Sequence, residues 1–168
     1  MRLLIYAFKP YGPYRNNISE QLIQALPGHQ NIQKRVFKVE FDYQMFYSAF
    51  EELSPDIIIG MGQHPRARKI RIERKASNTM KRADGTIQAI KVGAPLARFS
   101  NVKLANTPIT TVTYNAGTYV CNYSMYVMGE YSLATGTRFG FLHLPMGMGI
   151  EPMKNYISNC CDRLQDLD

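Results

Sequence analysis

Apolar positions in this chain fall into short runs divided by turn residues, and the spacing within them is of two kinds. Arg2 to Phe8 carries Leu3-Leu4-Ile5-Tyr6 in a row, Asp56 to Gly62 carries Ile57-Ile58-Ile59, and Phe139-Gly140-Phe141-Leu142-His143-Leu144-Pro145 is an apolar stretch stopped by proline. Near-continuous runs of this length read as strands buried on both faces. Arg35 to Phe41 alternates apolar and charged residues and is also predicted to be a strand, as is the β-favouring run Ile109 to Thr113. Between them the period lengthens. Leu22, Ile23 and Leu26 predict a helix with Ser19 as N-cap and Pro27-Gly28 as its stop, and Met45, Phe46, Ala49, Phe50 and Leu53 predict a second one ended by Ser54-Pro55. Val120, Tyr123, Val127 and Met128 predict a third. The fourth runs from about Glu151 to Leu167, with Met153, Ile157, Cys161 and Leu164 on one face. Lys69 to Ala76 reads as extended, and Asn78 to Ala94 as irregular or a hairpin around Asp84-Gly85.

Strands alternating with helices predict an α/β fold: three layers, α/β/α, in a single domain spanning 1–168, around a largely parallel central sheet. At 168 residues and 45% hydrophobic content the chain is long enough to bury a sizeable core. No run approaches a membrane span and the first residues do not form a signal peptide, so a cytoplasmic protein with no membrane partner is expected. Cys121, Cys160 and Cys161 are too few and too oddly spaced for a disulfide framework or a zinc site, which suits a reducing compartment and predicts no metal and no cofactor. The net charge of +7 is local. Residues 64–82 hold eight basic residues against one acid, Glu73, while twelve basic residues balance twelve acids elsewhere. That makes segment 64–82 a candidate polyanion surface, although solvated charge runs are commoner and nucleic acid is not the expected partner.

The candidate chemistry centres on Asn115-Ala116-Gly117-Thr118-Tyr119-Val120-Cys121-Asn122, where a strand hands over to a helix. A thiol in the first turn of a helix lies in the positive field of unpaired amides, which favours thiolate. His143, near the end of an apolar strand, is placed where open α/β sheets gather their chemistry and is a candidate base. From the residues alone Cys121 reads first as a buried structural thiol, His143 as a satisfied histidine, and Glu73 as an ion-pair partner for Arg71 or Arg74.

Four segments together resemble the type I pyroglutamyl peptidases, also called pyrrolidone-carboxylate peptidases. The family's GFxPFGG with a following NPS or NPT is similar to Ala7-Phe8-Lys9-Pro10-Tyr11-Gly12-Pro13 and Asn17-Ile18-Ser19. Its I-x-x-E-R-x-A-x-N resembles Ile70-Arg71-Ile72-Glu73-Arg74-Lys75-Ala76-Ser77-Asn78, its A-G-x-Y-L-C-N resembles Ala116 to Asn122, and its G-F-[IL]-H-[VL]-P resembles Gly140 to Pro145. The resemblance implies a cysteine peptidase that removes an N-terminal pyroglutamyl residue from small peptides. Cys121 would be its nucleophile, His143 its acid and base, and Glu73 the group orienting the imidazole, with an acyl-enzyme intermediate. It implies Phe8 and Tyr11 as walls around the flat lactam, Tyr119 and Val120 in the same pocket, Asn17 in the N-terminal loop, and a homodimer or homotetramer. The alternatives are the same triad acting on another N-capped amide, or a non-catalytic RNA- or polyanion-binding descendant using segment 64–82.

This chain departs from the pattern at Ala7, Lys9 and Pro13, at Thr113 in place of a serine, at Arg66-Ala67 in place of glycine-arginine, and in a basic rather than acidic loop after Asn78. The resemblance also implies shortening in that loop, at the C-terminus, and in a helix expected between Phe99 and Pro108, whose loss would expose one flank of the sheet.

Overall fold

The computed structural model describes residues 1–165. Its elements follow the order β1 (Leu3–Phe8), α1 (Ile18–Ala25), β2 (Ile32–Phe37), α2 (Tyr43–Leu53), β3 (Ile57–His64), β4 (Ile70–Glu73), β5 (Lys75–Ser77), β6 (Met80–Lys81), β7 (Ile87–Gln88), β8 (Ala97–Phe99), β9 (Thr110–Thr113), α3 (Val120–Thr135), β10 (Arg138–Pro145) and α4 (Ile150–Gln165). Six strands form the main sheet in the order β2-β1-β3-β10-β4-β9. All neighbours are parallel except β10 and β4.

The period-two side-chain alternation of a strand sorts the core into two layers. Leu3, Ile5, Ala7, Ile57, Ile59, Leu142 and Leu144 face α1 and α4; Leu4, Tyr6, Phe8, Ile58, Phe139 and Phe141 face α2 and α3. The α2–α3 side is the aromatic one, with Tyr6, Phe37, Phe46 and Phe50 in mutual ring contact. This is the α/β/α sandwich that the spacing of apolar residues predicts.

Three local readings change. The first helix is capped by Asn17, whose side chain accepts from Ser19 N, and not by Ser19, which is buried with its hydroxyl donating back to Asn17. The second strand lies three residues earlier than its alternation suggested, because Leu3 to Phe8 pair in register with Ile32 to Phe37 and the run beyond Phe37 turns away towards α2. Residues 100–108 contain no helix, yet the sheet is not bare there. Asn101 N and Val102 N both donate to Phe139 O, and Val102 and Leu104 pack where a Cβ on Gly140 would stand. An extended segment thus covers a flank that was expected to be open. The hairpin around Asp84-Gly85 is present as β6 and β7, with Gly85 at φ +88 and Asp84 accepting from Thr86 N. The last helix begins at Ile150, and its predicted end at Leu167 lies outside the described residues. No helix among the described residues is long and apolar enough to cross a membrane.

Close approach of the aromatic layer to β3 depends on Gly60. A Cβ there would stand 2.5 Å from Phe141 Cδ2 and 2.6 Å from Tyr6 Cζ, whereas one on Gly28 meets nothing within 4 Å. Gly60→Ala is therefore expected to cost about 1–3 kcal/mol by overpacking, and Gly28→Ala to stay within about 0.5 kcal/mol of the parent. Urea unfolding of the two variants tests this; equal midpoints would refute the packing argument.

Candidate active site

Parallel strands β1, β3 and β10 end on the same side of the sheet, and a cavity of about 740 Å³ opens there. This is the edge at which α/β sheets bind ligands. Phe8 comes from the end of β1, Gln63 and His64 from the end of β3, and His143 from β10, where it sits opposite Gly62. Its register with β4 places Arg71 directly across from His143 and Glu73 across from Phe141. Residues 71, 73, 141 and 143 therefore share the face that packs on α3.

Glu73 is fully buried, and a carboxylate without water must find donors inside the protein. It has two, and a cation beside them. His143 Nδ1–H donates to Oε1 at 2.8 Å, the Thr113 hydroxyl donates to Oε2, and Arg71 Nε stands 3.1 Å from Oε1 as an ion pair. Burial alone would raise the Glu73 pKa. The hydrogen bond and charge of His143, the Thr113 hydroxyl and Arg71 together outweigh it and hold the carboxyl below its ordinary value. The readings of Glu73 as an arginine partner and as a histidine partner are both met, by one carboxylate. Arg74 turns elsewhere, donating to Val102 O.

With Nδ1–H given to Glu73, the His143 Nε2 edge is left to face the cavity. Cys121 arrives there from α3. Ahead of that helix Asn115 Oδ1 accepts from Gly117 N, and Gly117 takes φ +82, a conformation that glycine adopts without strain. The turn delivers Tyr119 as N-cap and Cys121 as the second helical residue. No side chain caps the helix, so its first amides are left without a side-chain partner. Gly62 makes room for the thiol: a Cβ there would collide with Cys121 Sγ and lie 3.5 Å from His143 Cδ2. Sulfur and imidazole thus both stand near one glycine of β3.

The helix start that was expected to favour thiolate is opposed by the surroundings of the sulfur. Burial pushes the Cys121 thiol up to about 12, the Glu73 charge acts in the same direction, and a backbone hydrogen bond offsets only part of this.

Phe8, Tyr11, Asn17, Tyr119 and Val120 all border the cavity with Cys121 and His143. Phe8 and Val120 are buried walls, whereas Tyr119 is 63% exposed at the mouth. Asn17 is buried and occupied as a cap, its amide also donating to Lys9 O. Lys9, basic where the family pattern is acidic, is answered by Glu20 at 2.7 Å. Sequence reasoning passed over Tyr14, Gln63 and His64, which also line the cavity. Gln63 accepts from Ile18 N at the head of α1, and His64 Nε2 accepts from Arg71 Nη1 at 2.8 Å. The His64 ring lies edge-on to His143 at 5.2 Å, and burial, followed by the charges of His143 and Arg71, lowers its pKa. A Gly-Gln-His run closing the strongest β3 signal was the available clue. Among the described residues no group of three or more His, Cys, Asp or Glu could hold a metal ion.

Because folding lowers the Glu73 pKa, its contribution to stability is fully present above the ordinary glutamate value of about 4.5 and drains away as pH falls through the lower folded-state value. Glu73→Gln is expected to cost about 3–5 kcal/mol near pH 7, the scale for breaking a buried pair. The gap between wild type and Glu73→Gln should then narrow as urea titrations move from pH 6 to pH 3. A gap constant over that range would show that the carboxylate is not what these donors stabilise.

The family model described as pyroglutamyl peptidase matches residues 1–150. The pyrrolidone-carboxylate peptidase of Pyrococcus furiosus is 30% identical over 168 aligned residues, covering 86% of this chain and 81% of that protein. The same-named protein of Thermococcus litoralis is 29% identical, covering 86% and 76%. Among solved structures, a variant of the P. furiosus pyrrolidone carboxyl peptidase superposes with a TM-score of 0.85 at 26% identity over 100% of both chains. The T. litoralis structure gives 0.83 at 25% identity over 99% of this chain and 96% of the other. With nine-tenths of its length matched and its chemistry-bearing side chains assembled at one sheet edge, this chain belongs to the pyroglutamyl peptidase family.

Proposed function

We propose that this chain removes an N-terminal pyroglutamyl residue from peptides by thioester catalysis, with Cys121 as nucleophile, His143 as acid and base, and Glu73 as the group that orients His143. The observation supporting it is the buried Glu73–His143 pair facing Cys121 across Gly62 at the floor of the cavity. Membership of the family supports the substrate class.

The lactam of pyroglutamate is flat and uncharged, so a slot between Phe8 and Tyr11 with Val120 behind it suits the ring. Cys121 Sγ attacks the carbonyl that joins this residue to the next while His143 Nε2 takes the thiol proton. With a resting thiol pushed up to about 12, the proton leaves as attack occurs and not beforehand. Glu73 stabilises the resulting imidazolium. First-turn amides of α3 bind the developing oxyanion. His143 then returns its proton to the amine nitrogen, the C–N bond breaks, and the shortened peptide departs. A water molecule, deprotonated by His143, cleaves the thioester to release pyroglutamate and regenerate the thiol. Three free thiols suit a reducing compartment, and a cytoplasmic location is part of this reading.

The purified protein is expected to hydrolyse a pyroglutamyl coumarin amide but not the proline or alanine analogues, and Cys121→Ala to abolish that turnover. His143→Asn should lower kcat by about 10²–10⁴-fold. Turnover surviving in Cys121→Ala would refute the assignment of the nucleophile. A second check concerns the proton. Alkylation of Cys121 by iodoacetamide should rise about tenfold per pH unit from pH 6 to 9 without a plateau. A plateau reached below pH 7 would instead establish a preformed thiolate–imidazolium pair.

A further inference from the structure

The basic strip at 64–82 divides in the folded chain. Arg71 is consumed internally, with Nε against Glu73, Nη1 on His64 and Nη2 on Asn115 O, and Arg74 is consumed by Val102 O. Arg66, Arg68 and Lys69 are not consumed. They lie exposed on the five-residue loop between β3 and β4, whose turn is closed by Ala67 N on His64 O, and none of the three has a carboxylate partner among the described residues. Arg66 borders the same cavity as Cys121 and His143. No aspartate or glutamate lines that cavity, while two guanidinium groups do.

A neutral lactam makes no use of this charge. The cavity, at about 740 Å³, falls in the upper part of the range of about 300–1,000 Å³ that holds drug-sized ligands. It exceeds the space one five-membered ring fills and has room for peptide residues beyond the scissile bond. We propose that the β3–β4 loop, through Arg66, forms a leaving-peptide subsite that selects a carboxylate on the residues immediately after pyroglutamate. This rests on the proposed peptidase activity. The carboxylate recognised can be an Asp or Glu side chain or the free C-terminus of a very short peptide. Arg66 offers a planar fork of donors to either, with Arg68 and Lys69 adding long-range attraction that salt screens. Selection then falls on encounter and binding, hence on KM, because the charge lies outside the bond being broken.

The test compares kcat/KM for the C-terminally amidated peptides pyroglutamyl-Glu-Ala, pyroglutamyl-Gln-Ala and pyroglutamyl-Lys-Ala, and for pyroglutamyl-Gln-Ala as free acid. Wild-type hydrolysis of the neutral pyroglutamyl coumarin amide reports separately on the underlying activity. Its absence would sink the peptidase reading itself. With that activity present, the Glu peptide should exceed the Gln peptide by about three- to tenfold, through KM, at low salt, and the margin should shrink in 0.5 M NaCl. Arg66→Glu, checked by circular dichroism for an unchanged fold, should reverse the order in favour of the Lys peptide. A gain for the free acid as well would show that a terminal carboxylate is read too. Rates within twofold across all four peptides, or an acidic preference that survives Arg66→Glu, would overturn the proposal.

Discussion

A fully buried carboxylate is the constraint around which this end of the molecule is built. Glu73 is shut off from solvent, so two donors and a cation converge on it, and each comes from a different strand or strand position: His143 from β10, Thr113 from β9 and the Arg71 charge from two residues earlier on β4. The antiparallel pairing of β4 with β10 and its parallel pairing with β9 supply the register that makes this convergence possible. Arg71 then needs partners for its remaining nitrogens and takes His64 and Asn115 O, which ties the end of β3 and the turn before α3 to the same charge. One buried ion thereby organises four segments around the cavity. Thr113, a departure from the family serine, keeps the hydroxyl that this arrangement uses.

Glycines on β3 provide the complementary requirement of space. Gly60 admits Tyr6 and Phe141, and Gly62 admits the sulfur of Cys121. Behind the sulfur, the Tyr6 hydroxyl donates to Ser124 Oγ, which donates to the carbonyl of Cys121 itself. The strand that carries no large side chains at these two positions thus leaves room over Gly62 for the Cys121 sulfur and the edge of the His143 ring.

Much of this was legible in the chain. Continuous apolar runs marked β1, β3 and β10, because strands covered on both faces cannot afford polar positions. The order Glu73, Cys121, His143 within three separate motifs marked the site. What was not legible depended on long-range terms. Nothing local says that Asn17 rather than Ser19 caps α1; the decision comes from Ser19 being drawn into the interior behind Phe8. Alternation placed the second strand too late because Val39 and Phe41 are apolar for a different reason, packing against the α2–α3 layer from a loop. The thiolate expectation was incomplete for a similar cause: a helix terminus can be read from sequence, whereas the burial that raises the Cys121 pKa cannot. His64 escaped notice because its value lies in an arginine and a histidine brought beside it by the sheet.

Asn122, the residue after Cys121, links α3 to a distant part of the chain. Its side chain accepts from Ser77 N and donates to the carbonyls of Ser77 and Thr79, so it is stitched to the backbone between β5 and β6. Asn78 in that stretch holds Lys91 and Ala94 in turn. The long excursion at 78–94 is thereby tied from outside α3 by three hydrogen bonds to the residue that adjoins Cys121 in the chain.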